Sequence, residues 1–505
     1  MIIFIAVISC KALQNEEKVS GLKAFPKSHP LPYNVLPVTS CDTAPVSDVI
    51  TMRHPSNNKN IVLRYTNSTI VDYLTPDWEN RIQRTDDFFT EKNLNGYDSD
   101  ELKLTVIDIR NVNGRPHYHY FSNGTTMQTL QNMSATKFMG ASFSVHRIRQ
   151  LSKGRIGADV RYNSRVLASD LDIIGNVSDN RYAAAVKTLG GNAHAEFMIE
   201  NWMLAGYRDP SITGSKVDYF GGSWGARSDF CGEAVPFPTK YVTDLTTGEK
   251  LNLPEVCPKE VNPKKPYNCA SYINCDCRGK YRNWNHLSGL TFAEWMKRIA
   301  VNYRDPVTLP KLIDYKVSRY ALPSKRARQT ATPSLTKRDI EILMYGTTAY
   351  SPEEFKRRSL DKSDCGGKLG PTYSDYRGKK RGGMMWDGLR DWPHNAGGVD
   401  RLHELFNDRW RMLGKGGSGQ VSIKQGEEKK NFKVEAVIGY ICLPKIVNKG
   451  SLIFPGKELV VHLHFTNKKN RPGYSYTHIH KAAKAVFDQM VPGLNSNGAL
   501  REMGQ

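Results

Sequence analysis

The chain has 505 residues, 39% hydrophobic and 10% aromatic, which is enough apolar side chain to close a sizeable core and excludes a disordered chain. Lysine and arginine number 71 against 50 acids, a formal net charge of +21, so an anionic envelope surface would attract the protein. No zinc finger, basic arm or aromatic-interleaved platform accompanies that charge, and nucleic acid is not expected as a partner.

The N-terminus, MIIFIAVISCKALQNEEK, holds an apolar run too short to cross a bilayer as a helix. Its Val7-Ile8-Ser9-Cys10 segment resembles the lipobox of a bacterial lipoprotein signal, although no Lys or Arg precedes the run as in a secretory leader. That resemblance implies a leader over residues 1–19 and an exported protein, periplasmic or membrane-anchored through Cys10. The other eight cysteines (41, 231, 257, 269, 275, 277, 365 and 442) are an even set, as disulfides in an oxidising compartment require. CPKEVNPKKPYNCASYINCDCRGK lacks paired C-x-x-C knuckles and histidine, so disulfides are expected there rather than a metal.

Residues 20–95 are rich in proline, asparagine and serine, with FPKSHPLPYNVLP as extended chain, and read as an N-terminal extension or linker. The main domain is expected over 96–495. It opens with LKLTVIDIRNVNGRPHYHYFSNG, two alternating strands joined by Asn113-Gly114, a hairpin signal. SATKFMGASFSVHRIRQL follows as an amphipathic helix with Phe138, Phe143, Val145 and Ile148 on one stripe. RYAAAVKTLGG and AEFMIENWMLAG read as helices stopped by glycines. Residues 208–290 hold five cysteines, many prolines and little periodicity, and read as a disulfide-tied insertion. GQVSIKQGEEKKNFKVEAVIGYICL then gives two strands, ELVVHLHF a third, and YSYTHIHKAAKAVFDQMV a closing helix. The expected fold class is α+β, its antiparallel sheet built from both chain ends and flanked by helices.

Three motifs occur in order: Ser134-Ala135-Thr136-Lys137, then Ser178-Asp179-Asn180, then Lys415-Gly416-Gly417-Ser418. S-x-x-K, S-D-N and K-T-G are together the signature of class A β-lactamases and penicillin-binding proteins, and the chain resembles that serine acyl-transferase family over about residues 100–206 and 310–492. Lys368-Leu369-Gly370 and Lys449-Gly450-Ser451 compete for the third position, but neither leads into a strand pair followed by the closing helix.

The chemistry needs these residue types. A neutral serine hydroxyl is a poor nucleophile without an adjacent base; Lys137, one helical turn on, shares the face of Ser134, and burial near other cations would let its amine accept the proton. The backbone N–H groups at Ser134 and, by resemblance, Ser418 would hold the developing oxyanion. The resemblance further implies that Ser178 carries the proton to the leaving nitrogen, that Asn180 binds the substrate amide, and that Lys415, with Gly416, Gly417 and Ser418, receives the substrate carboxylate. No cofactor or metal is implied.

Two departures matter. Gly416 stands where the family has threonine. The stretch KLIDYKVSRYALPSKRARQTATP, where the family carries a deacylating glutamate, offers only Asp314, one methylene shorter, and a displacement of about 1 Å can cost roughly a hundredfold in rate. Glu233 and Glu294 are the other acids considered. The expected function is a serine hydrolase with an acyl-serine mechanism on a β-lactam or related amide. The alternatives are a D-alanyl-D-alanine carboxypeptidase or penicillin-binding protein acting on peptidoglycan, and a silent binding protein on the same fold. The sequons at Asn132 and Asn176 overlap the motifs and are read as chance, because a glycan there would block the cleft.

Overall fold

The computed structural model describes residues 41–67, 82–190, 239–253, 286–301, 335–357, 383–384, 402–406 and 409–494, a few positions within these ranges excepted. The leader with Cys10, Asp314, Glu233, Asp179 and most of the cysteine-rich stretch lie outside the described residues.

The centre is a six-stranded sheet. Its strands are β1 (Arg84–Thr85), β2 (Leu102–Val112), β3 (Arg115–Ser122), β4 (Arg411–Gln425), β5 (Glu428–Leu443) and β6 (Lys457–Thr466). They lie in the order β4-β5-β6-β2-β3-β1, so both chain ends do build one sheet. All pairings are antiparallel except that of β1, which runs parallel to β3. The β2–β3 hairpin turns at Asn113 and Gly114 with φ of 51° and 82°, the pair of left-handed conformations that a two-residue turn with strand-matching twist demands.

Strand β2 is apolar on both sides because the sheet is covered on both. Leu104 and Val106 enter one core cluster, Ile107 and Ile109 the other. On one face pack α1 (Lys137–Leu151), α2 (Leu167–Val177), α3 (Asn180–Gly190), α4 (Gly289–Val301) and α5 (Lys337–Tyr345), with the short α6 (Pro352–Arg357) beyond them. On the other lie α7 (Ser475–Met490) and side chains from the N-terminal segment, Leu63, Tyr65, Phe88, Phe89 and Leu94. The architecture is α+β in three layers.

Four observations refine the sequence reading. Helix α1 is buried on every side from Lys137 to Arg149 rather than along one stripe, because it lies at the centre of the helical layer; its polar residues are satisfied internally, Ser144 donating to the Val186 carbonyl at 3.2 Å and Arg147 to that of Leu189 at 2.7 Å. Helix α5 starts at a capping box between Thr336 and Asp339. Within the stretch read as an insertion, Tyr241–Asp244 and Lys250–Asn252 form a hairpin that extends onto Val160–Tyr162, and Val242 is fully buried. Within the stretch read as an extension, the Val46 N–H reaches the Asn111 carbonyl at 2.9 Å, Thr66 bridges to Tyr118, and Cys41 is disulfide-bonded to Cys442 on β5.

Candidate active site

Ser134 lies in a single 3-10 turn, Met133–Thr136, between the short strand Thr129–Gln131 and the start of α1. The turn closes through the Ala135 N–H on the Asn132 carbonyl at 3.1 Å and the Thr136 hydroxyl on the Met133 carbonyl at 3.0 Å. Met133 enters it at φ 49°, a left-handed value that side chains other than glycine adopt at a cost of order 1 kcal/mol or more. Lys137 is the first residue of α1 and buried, so its ammonium is drawn inward across the turn rather than out to solvent.

Ser178 is the other strained residue. It caps the C-terminus of α2 in the left-handed conformation, φ 54° and ψ 34°, with its N–H on the Ile174 carbonyl at 3.0 Å. That conformation turns both of its oxygens toward α1. The Lys137 Nζ donates to the Ser178 carbonyl and lies 3.2 Å from its Oγ. From the far side, the Lys415 Nζ on β4 reaches the same Oγ at 2.9 Å and the Gly416 carbonyl at 2.7 Å. Lys415 is as buried as Lys137. The three motifs, separated by tens to hundreds of residues in the chain, thus converge on one hydroxyl.

Among the described residues strand β4 is an edge of the sheet, and it runs against the serine turn at Gly417. A Cβ at Gly417 would sit 2.5 Å from the Ala135 nitrogen and 2.6 Å from the Ser134 nitrogen, so only glycine permits that approach. Ser418 follows, exposed on the same edge. The helix-start N–H groups and the strand backbone are therefore juxtaposed, the arrangement an oxyanion site needs. Asn180 opens α3 directly after the Ser178 cap.

Sequence reasoning missed the support beneath the nucleophile turn. His462 on β6, fully buried, holds the Asn132 side-chain oxygen at 2.6 Å, and His464, two residues on and on the same face, faces the Gln131 carbonyl at 3.2 Å. Burial, aided by the nearby His464, pushes His462 down to about 3, so it is a neutral imidazole at any ordinary pH. Asn132 donates its amide N–H to the Leu130 carbonyl at 3.1 Å, which leaves its oxygen as the acceptor and puts the imidazole proton on Nε2. The signal was two polar side chains at alternate positions of an apolar strand, VVHLHF. Asn132 is fully buried, which leaves no room for a glycan at that sequon.

Of the acids considered for deacylation, Glu294 is committed elsewhere. It bonds the Tyr120 hydroxyl and pairs with Lys297 at 2.7 Å under the sheet, fully buried.

No protein-family model and no curated protein matches this chain. Among solved structures, it is similar to the C-terminal domain of the Bacillus licheniformis BlaR penicillin-receptor, at 8% identity and TM-score 0.31 over 81% of this chain and 96% of that one. It is likewise similar to an extended-spectrum β-lactamase, at 10% identity and TM-score 0.35 over 79% and 98%. A peptidoglycan synthetase from Bifidobacterium adolescentis aligns at 11% identity and TM-score 0.32 over 81% of this chain and 60% of that one. At such scores these likenesses do not bear on the chemistry, which rests on the convergence of Lys137, Ser178 and Lys415 beside the Ser134 turn.

Proposed function

We propose that the chain is a serine acyl-transferase or hydrolase that opens a β-lactam or a related peptide amide through an acyl-Ser134 intermediate. The observation that supports it is the pair of buried lysine side chains, Lys137 and Lys415, meeting at the Ser178 hydroxyl, with a glycine-only strand edge against the serine N–H. In this reading the Ser134 Oγ attacks the carbonyl carbon while its proton passes to the unprotonated Lys137 amine. The resulting oxyanion takes hydrogen bonds from the Ser134 and Ser418 N–H groups. The C–N bond then breaks as the Ser178 hydroxyl protonates the nitrogen, and Ser178 regains a proton from Lys137. Lys415 supplies the positive end for a substrate carboxylate, and its contact with Gly416 rather than a threonine hydroxyl leaves that role to charge alone.

A second reading concerns turnover. Glu294 is spent in its buried ion pair, which leaves Asp314 and Glu233 of the acids considered, and an aspartate in the expected loop reaches less far than glutamate. We infer slow release of the acyl group, closer to a penicillin-binding protein or carboxypeptidase than to a fast β-lactamase. A fluorescent penicillin tests both: the wild-type chain should become covalently labelled on a denaturing gel and hold the label for minutes or longer, and Ser134→Ala should not label. Equal labelling of the two proteins contradicts the proposal, and label lost within seconds contradicts slow release.

A further inference from the structure

A cavity lies on the face of the sheet opposite α1, beneath the N-terminal segment tied down by the Cys41–Cys442 disulfide. Its volume is about 130 Å³, close to that of engineered cavities that take up a benzene ring. Val46, Phe454 and Met490 are among its apolar walls, and Asp108, Arg110 and Lys457 form its polar floor.

The floor is unbalanced. The Lys457 Nζ at 2.8 Å, the Arg110 Nε at 3.3 Å and the Tyr65 hydroxyl at 2.8 Å all converge on one oxygen of Asp108, Oδ2. Among the described residues two cations thus share a single carboxylate, which leaves one positive charge beside an apolar space. The Asp108 side chain is nearly buried, whereas the Arg110 and Lys457 side chains are 22% and 14% exposed. A ligand therefore meets the cations more readily than Asp108, which also lines the cavity and whose Oδ1 is buried. Arg110 is held from behind, its guanidinium stacked 4.7 Å over the Tyr65 ring, so its planar fork is already oriented at little entropic cost. Lys457 is depressed by burial and by Arg110 in spite of Asp108, the behaviour of an ammonium short of negative charge.

We propose that this cavity is a binding site for a small amphipathic carboxylate, its head group on Arg110 and Lys457 and its apolar body against Val46, Phe454 and Met490. Charge-assisted hydrogen bonds are about twice as strong as neutral ones, so the charged head should improve affinity at least about tenfold over a neutral isostere. The site is independent of Ser134 chemistry.

Titration of the full chain with benzoate, benzyl alcohol and benzylammonium, followed by calorimetry and by melting temperature at fixed ionic strength, tests it. Benzoate should bind, benzyl alcohol at least about tenfold more weakly, and benzylammonium not at all. Val46→Phe, which fills the cavity from its wall without touching the ion cluster, should abolish the benzoate response while the protein melts cooperatively; Arg110→Met should weaken it about tenfold or more. Indifference to the head-group charge, no benzoate binding, or binding that survives Val46→Phe would overturn the assignment.

Discussion

At the scale of single residues, His462 and Asp172 make the sharpest predictions. His462 is a positioning residue: it holds Asn132, whose carbonyl and side chain shape the turn carrying Ser134. Truncation by His462→Ala leaves the Asn132 oxygen buried without its donor, at a cost of about 1–3 kcal/mol, and should slow acylation by penicillin. His462→Gln can restore the donor and should recover part of the rate. Because the imidazole is already neutral, its replacement should not change the shape of the pH–rate profile, and a lost inflection near pH 6 would show that it titrates in the reaction instead. Asp172 on α2 is fully buried among the N–H groups of Thr347 and Gly383 at 3.1 Å and 3.0 Å and the Thr347 hydroxyl. Burial outweighs these donors and pushes its carboxyl up from 3.8 to about 7. The folded state therefore holds the proton more tightly than the unfolded chain: the contribution is complete below pH 3.8 and fades as pH rises through about 7. Roughly 4 kcal/mol of unfolding free energy should be lost across that window. Asp172→Asn keeps an acceptor for both N–H groups and a donor for Thr347, so denaturant titrations at pH 4 and pH 8 should differ much less for this variant than for the wild type.

At the scale of elements, the site depends on how closely β4 passes the Ser134 turn. Gly417→Ala places a methyl carbon within 2.6 Å of the serine nitrogen, so strand and turn must separate. A shift of about 1 Å costs on the order of a hundredfold in rate, and stopped-flow acylation should show a loss of that size with little change in far-ultraviolet circular dichroism. Much of this level was legible in the sequence. The Asn113-Gly114 hairpin, the three C-terminal strands and the closing helix announce themselves through alternation, turn residues and helical period, because each is decided by local chemistry and by one apolar face. The stripe assigned to α1 was too narrow, since periodicity reports a half-exposed helix and α1 is enclosed by α2, α3 and α5. The start of α5 was not read from the sequence, although Thr336-x-x-Asp339 carries a capping signal of its own. The residues of the S-x-x-K, S-D-N and K-x-G motifs could be picked out, but their meeting at the Ser178 hydroxyl depends on a left-handed cap that no local pattern announces.

At the scale of the molecule, the sheet is closed by elements far apart in sequence. The Cys41–Cys442 bond spans 401 residues, and a native disulfide of this kind typically contributes about 2–5 kcal/mol, largely through the unfolded chain. The Cys41→Ser and Cys442→Ser double variant should unfold at lower denaturant by that amount, the bond being part of the core on the helix-covered face of the sheet. An even cysteine set suggested disulfides, but which two meet is a property of the tertiary fold. The central claim is that Lys137, Ser178 and Lys415 form one proton-handling site around Ser134. Intact-mass spectrometry with peptide mapping after exposure to benzylpenicillin tests it most directly, comparing wild type with Lys137→Met. The account predicts a single penicilloyl adduct on Ser134 in the wild type and little or none in Lys137→Met; an adduct on another residue, or equal acylation of both proteins, would contradict it.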